Sequence, residues 1–144
     1  MSYTYEYPRP AVTVDCLVFS KENEHVWLML IQRDKAPFEK FWALPGGFVE
    51  IDEDLDEAAY RELKEETSIS DIKLRQFRAF GKPGRDPRGR TISIVYHGFV
   101  DPGKTAATAG SDARNVDWFD INDLPPLAFD HDEIIEMARR KLEI

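Results

Sequence analysis

The chain has 144 residues, 42% of them hydrophobic, and a formal charge of −8. That length supports one globular domain spanning residues 1–144, with a core of its own. The acidity argues against nucleic acid as a partner, because a protein that neutralises many phosphates is basic. It leaves room for a small phosphorylated ligand, since a local basic patch and a metal ion reverse the field inside a cleft.

The opening residues, Met1 to Tyr7, lack the basic and apolar regions of a secretory signal. No apolar stretch reaches membrane-spanning length, so a cytoplasmic protein without a membrane partner is the expectation. Residues 11–19 and 26–32 read as strands joined by the polar turn Lys21-Glu22-Asn23-Glu24. The single cysteine, Cys16, lies in the first of them and reads as a buried thiol with no disulfide partner. A loop with Pro37 and Pro45 leads through Gly46-Gly47 to a short strand at Phe48-Val49. A helix is expected from Leu55 to Thr67, with Asp52, Glu53 and Asp54 placed to cap it and to complement its dipole. Ile72 to Phe80 and Thr91 to Val100 read as strands flanking a turn rich in glycine, proline and arginine. Asp101 to Asn115 is small and polar, the composition of a loop. Val116 to Phe119 suggests a last short strand and Asp130 to Leu142 a second helix. Interleaved strands with two helices indicate a mixed sheet covered by helices.

The first helix carries the chemistry. Its apolar face is Leu55, Ala58, Ala59 and Leu63, yet Glu62 and Glu66 fall in the same sector and Glu65 lies on its edge. Like charges at i, i+4 cost roughly 0.2–0.5 kcal/mol on an isolated helix. Carboxylates crowded beside a packing face make sense if a divalent cation neutralises them. A solvated acidic surface helix is the bland alternative, and the phase of the glutamates against the apolar residues argues against it. Arg61 stands four residues from both Glu57 and Glu65 and so is placed to clamp carboxylates.

The spacing Gly47, Glu53, Arg61-Glu62-Leu63, Glu65-Glu66 and Ile69 resembles the Nudix hydrolase signature, and Phe41 to Gly47 looks like the usual approach to it. Ser68 stands where the signature has glycine. The resemblance implies an α/β (α+β) fold, the Nudix-type α/β/α sandwich with a mixed β-sheet flanked by helices. It implies hydrolysis of a diphosphate linked to another moiety, with Mg²⁺ or Mn²⁺ as cofactor. By the same resemblance Glu62 and Glu66 are the principal metal ligands, with Glu65 a further ligand or a base. The carbonyl of Gly46 and the carboxylate of Glu50 complete the metal shell, and Glu53 orients Arg61. Serine at position 68 would cost roughly 1–2 kcal/mol if the left-handed conformation of a terminal glycine is kept.

Lys82, Arg85, Arg88 and Arg90 crowd one turn of an otherwise acidic chain. Such a turn is either a solvated hairpin or a clamp for phosphate or carboxylate. Residues 84–93, residues 7–15 and Gly110 to Ala113 are similar to segments of ADP-ribose pyrophosphatase-like Nudix proteins. That likeness points to hydrolysis of ADP-ribose, a small nucleoside diphosphate substrate, to AMP and ribose 5-phosphate. Arg33, Arg85, Arg88 and Arg90 are then candidates for substrate binding, with Arg88 and Arg90 alternatively bracing a dimer. Asp112 stands in a loop where related enzymes place a catalytic acid or base, although an ordinary turn aspartate also fits. Relatives of this kind are often homodimers. Trp42 and Trp118 read as core or loop anchors. His25, His97 and His131 form no metal motif and receive no role. Two rival functions stand beside ADP-ribose hydrolysis. One is a nucleoside triphosphate pyrophosphohydrolase, which would use the same helix and metals. The other is a non-catalytic sensor of ADP-ribose or another NAD metabolite, which the complete set of acids disfavours. The sensor is expected to need an added DNA-binding region, whereas this chain ends at Ile144 soon after one C-terminal helix.

Overall fold

The computed structural model describes residues 2–101 and 113–144, so Asp112 lies outside the described residues. Among these residues there are seven strands and two helices in the order β1 (Ala11–Glu22), β2 (His25–Arg33), β3 (Trp42–Ala43), β4 (Gly46–Phe48), α1 (Leu55–Thr67), β5 (Arg75–Phe80), β6 (Thr91–Val100), β7 (Ala113–Asp120) and α2 (His131–Leu142). The sheet runs β3-β2-β1-β6-β5, with β4 added to β1 and β7 to β2. It is mixed: β1 and β6 are parallel, and the other pairs are antiparallel.

Side-chain alternation along β1 sends successive residues to opposite faces. Val14, Cys16 and Val18 pack with Ala58, Ala59 and Leu63 of α1. Leu17 and Phe19 pack with Ile134, Ile135 and Ala138 of α2. The sheet is therefore the middle layer between two helices, as expected. Full burial of a side chain such as Leu63 contributes about 1.5–3 kcal/mol. Cys16 is fully buried and unpaired, and burial followed by the neighbouring Asp15 pushes its thiol pKa up. Trp42 packs edge-on against Phe119 with ring centres 4.7 Å apart, and Trp118 packs against the α1-side core.

Several boundaries differ from the sequence reading. Asn23 adopts φ 58°, which tightens the first turn so that pairing runs out to Glu22 and His25. The strand expected at Phe48-Val49 is Gly46–Phe48, where all three residues pair with Thr13 to Asp15 of β1. Trp42–Ala43 pairs with β2 although nothing local marks it as a strand. The strand expected from Ile72 begins at Arg75. Asn115, read as loop, belongs to β7, where its Nδ2 donates to Gln32 Oε1 across the pair with β2.

Helix α1 starts at a capping box. The Asp54 carboxylate accepts from the backbone at the helix start, and Glu57 Oε1 accepts from Asp54 N–H at 3.1 Å. Glu57 is thereby committed to the cap, which corrects the expectation that Arg61 clamps it. The helix ends at Ser68, which takes φ 67° and donates its N–H to the Lys64 carbonyl. Among the described residues no helix is long and apolar enough to cross a membrane.

Candidate active site

A cleft of about 500 Å³ opens where β4 pairs with Thr13 to Asp15 of β1, between the start of α2, the arginine-rich turn and the inner face of α1. Glu62, Glu66, Arg61, Glu50, Gly46 and Gly47 form one side of it. Arg33, Arg85, Arg88, Asp86 and Phe129 form the other, and Thr13, Asp15 and His131 also line it.

On the acidic side the backbone comes close to the carboxylates. Glu66 is buried at 7% exposure, and its Oε1 accepts from Gly46 N–H at 2.7 Å. A Cβ on Gly47 would stand 2.5 Å from the Glu62 carboxyl carbon. Gly47 thus lets β4 press against the helix where Glu62 emerges, while the missing Cβ of Gly46 lets β4 lie close to Val14 and Asp15 of β1. Arg61 organises this edge. It donates through Nε and Nη2 to both oxygens of Glu53, through Nη1 to Glu62 and Glu65, and through Nη2 to the Phe48 carbonyl. The hydrogen bond to Glu53 is the largest influence in raising the Arg61 pKa further above its ordinary value. The same bond lowers the pKa of Glu53, which does not line the cleft. Glu65 also stays outside the lining, half exposed and 3.2 Å from Arg61. Glu50 reaches the rim, 3.9 Å from Arg61.

The basic side is more specialised than its composition suggested. Arg85 is buried in a two-point ion pair with Asp130, at 2.9 and 2.7 Å, which fastens the turn to the start of α2. Arg88 pairs with the buried Asp86, and its guanidinium lies 4.9 Å from the ring centres of both Phe48 and Phe129. Burial opposes ionisation of Asp86, but the side-chain and backbone hydrogen bonds from Arg88 prevail and lower its pKa. Arg33 approaches Phe129 at 4.9 Å and donates through Nε to the Pro37 carbonyl. Burial, then repulsion from Arg88, lowers the Arg33 pKa. Two guanidiniums therefore meet at one aromatic wall and face the carboxylates across the cleft. Arg90 is exposed and outside the lining; its backbone carbonyl accepts from Ala11 N–H.

The cleft also contains residues that the motif reading passed over. Asp15 is 8% exposed and accepts hydrogen bonds from Ser93 Oγ and Thr13 Oγ1, both on Oδ2. His131 is 3% exposed, accepts from Leu44 N–H at Nδ1 and places Nε2 3.8 Å from Asp15 Oδ1. A signal for Asp15 was present: it is a lone carboxylate within an apolar strand. Nothing local marks His131, whose neighbours at Leu44 and Asp15 are distant in the chain.

The donor set suits a hard divalent cation, because Glu62 and Glu66 offer carboxylate oxygens from one helix beside the backbone of Gly46 and Gly47. Among the described residues no three side chains of the types His, Cys, Asp or Glu converge as a preformed cage.

Residues 9–138 match the family model described as the NUDIX domain. The chain is 45% identical over 130 residues to an ADP-ribose pyrophosphatase of Methanocaldococcus jannaschii, covering 90% of this chain and 73% of that protein. It is 33% identical over 141 residues to the ADPR responsive transcriptional repressor NtrR of Acinetobacter baylyi, covering 95% of this chain and 56% of the repressor. The fold superposes with a TM-score of 0.87 and 31% identity on the NUDIX domain of Shewanella oneidensis NrtR complexed with ADP ribose, covering 94% of this chain and 90% of that one. A bifunctional NMN adenylyltransferase/ADP ribose pyrophosphatase from Francisella tularensis superposes with a TM-score of 0.80 and 33% identity, covering 95% of this chain and 42% of that one.

Proposed function

This chain belongs to the Nudix family, and we propose that it is a divalent-metal-dependent pyrophosphohydrolase that cleaves ADP-ribose to AMP and ribose 5-phosphate. The observation that carries this reading is the opposition, across one cleft, of the inward carboxylates Glu62 and Glu66 to the guanidiniums Arg33 and Arg88. Carboxylates on one side and cations on the other suit a metal-associated diphosphate whose remaining charge needs neutralising. The pyrophosphatase relative and the ADP-ribose complex of a similar fold support ADP-ribose as the compound bound.

Glu62 and Glu66 would hold Mg²⁺ or Mn²⁺, with Glu50 at the rim and the Gly46 carbonyl beside them. When bound, such an ion neutralises the diphosphate and lowers the pKa of water. The protein's own groups do the rest. Arg61 keeps Glu62 in register and cancels part of the mutual repulsion of Glu62 and Glu65. Arg33 and Arg88 attract and orient the anionic substrate against Phe129. Hydrolysis breaks one bridging P–O bond; the water oxygen stays on one phosphorus and a proton leaves with the other phosphate. Glu65, beyond the lining but linked to Arg61, is our candidate for a further metal ligand or base that approaches once an ion is present.

The relationship to an ADP-ribose-responsive repressor favours a sensor as the second reading. Both readings require ADP-ribose to bind, and only one yields products. A panel of ADP-ribose, dinucleotides, nucleotide sugars and nucleoside triphosphates with Mg²⁺ or Mn²⁺ tests both. AMP and ribose 5-phosphate from ADP-ribose, with weaker triphosphate turnover and none after chelation, is the expected result. Preference for a triphosphate would overturn the substrate assignment, and tight ADP-ribose binding without cleavage would favour the sensor.

A further inference from the structure

Asp15 and His131 occupy the cleft but have no part in the metal and arginine chemistry described above. Their hydrogen bonding is incomplete in a specific way. Leu44 N–H donates to His131 Nδ1, so a neutral imidazole carries its proton on Nε2. Burial lowers the His131 pKa and favours that neutral form, although Asp15 works in the opposite direction. Ser93 and Thr13 both donate to Asp15 Oδ2, and among the described residues Oδ1 receives no hydrogen bond. Nε2 and Oδ1 stand 3.8 Å apart, too far for a direct hydrogen bond. One donor and one acceptor are thus left side by side, on side chains only 4% and 11% exposed, in the wall of the cleft.

A ligand atom that completes both must accept from Nε2–H and donate to Oδ1. A phosphate or carbonyl oxygen satisfies the imidazole but repels the carboxylate, while an ammonium does the reverse. A hydroxyl does both, as water does, so a ligand hydroxyl there takes the place of a bridging water. An oxygen about 2.8 Å from each atom spans the gap with an angle of about 85° at that oxygen. The pair adjoins the acidic side of the cleft through Gly46, which is the register partner of Asp15 and donates to Glu66. In ADP-ribose the groups joined directly to the diphosphate are its two riboses, which carry the hydroxyls nearest to it.

We propose that Asp15 and His131 form a hydroxyl-reading site that selects a ribose of the diphosphate substrate and determines its specificity. The assignment rests on the ADP-ribose reading and deepens it. Its test uses ADP-ribose and the four analogues lacking one ribose hydroxyl at the 2 or 3 position of either sugar. These are assayed with the wild-type protein and with the Asp15→Asn and His131→Gln variants. For wild type, loss of one particular hydroxyl is expected to lower kcat/KM by roughly 10- to 100-fold. In either variant the same loss should shrink to less than about threefold, because the reader is already broken. Wild-type kcat/KM within about threefold for all four analogues would overturn the proposal, as would an undiminished penalty in both variants. The analogues test the wild-type protein directly, so a variant that fails to fold does not remove the test. Absence of ADP-ribose cleavage would overturn the substrate reading separately. Calorimetric binding of the same five ligands would then decide on the site, with equal affinities or no binding counting against it.

Discussion

Arg61 holds Glu53 at two points, Nε to Oε2 at 2.6 Å and Nη2 to Oε1 at 2.9 Å, while its Nη1 remains 2.7 Å from Glu62. Glu53 therefore acts on the cleft through an intermediary. Its carboxylate sets the plane of the guanidinium, and the guanidinium sets Glu62. Glu53→Gln keeps an acceptor but loses the charge. The expected effect is a fall in kcat of about 10- to 100-fold with little change in KM. Steady-state kinetics on a variant with unaltered circular dichroism checks this. A raised KM with wild-type kcat would instead place Glu53 in substrate binding.

The adjacent glycines should fail in different ways. A Cβ on Gly46 would lie 2.1 Å from the Val14 carbonyl oxygen, a backbone atom in the central strand. Gly46→Ala should therefore be strongly destabilised and lose several degrees of melting temperature. The three atoms nearest to a Cβ on Gly47 all belong to the Glu62 carboxylate, the far end of a flexible side chain. Gly47→Ala should keep the melting temperature within about 3 °C while losing activity by about tenfold or more. Thermal melting and turnover measured on both variants separate the two effects.

Ser68 ends α1 in the left-handed region at φ 67°. The conformation expected of a glycine is retained by a residue with a Cβ. Ser68→Gly is expected to stabilise the fold by about 1 kcal/mol, or about 3 °C in melting temperature. Unchanged or reduced stability would mean that local contacts of Ser68 offset its strain.

Stability should fall on mild acidification. Burial lowers the pKa of His131, and burial followed by Arg75 lowers that of His97, both below the ordinary 6.5. Between the folded values and about pH 6.5 the unfolded chain binds more protons, so stability decreases as pH drops through that window. At still lower pH, Glu53 and Asp86, whose pKa values are lowered on folding, lose their favourable ionised states and add to the decline. The melting temperature should be flat above about pH 7 and fall below about pH 6.5. His97→Gln should reduce the slope without touching the cleft. A profile that stays flat to pH 5 in the wild type would contradict this.

The acidic helix was legible in the sequence because a helix repeats every few residues, so a carboxylate among alanines and leucines declares its direction. Glu66, placed by phase on the packing face, is indeed among the buried residues of α1. The three-layer arrangement was legible for a similar reason: the alternation along β1 feeds two faces, each covered by one helix. Contacts between distant segments were not. Arg85 looks like a free cation in a turn until Asp130, 45 residues away, takes it. Glu57 looks like a partner for Arg61 until the backbone N–H of Asp54 claims it. His131 shows no pattern at all, because Leu44 and Asp15 reach it only through the sheet. Short strands such as Trp42–Ala43 depend on a neighbour rather than on their own residues.

The most direct test of the catalytic assignment is turnover by Glu66→Gln. The glutamine can still accept from Gly46 N–H, so the contact between β4 and α1 survives while the charge is removed. With saturating Mg²⁺ or Mn²⁺, release of AMP and ribose 5-phosphate from ADP-ribose is measured by chromatography for the variant and the wild type. A loss of at least about 100-fold in kcat, at an unchanged melting temperature, is the expected result. Turnover close to wild type in the folded variant would contradict a metal-assisted diphosphate hydrolysis centred on Glu62 and Glu66.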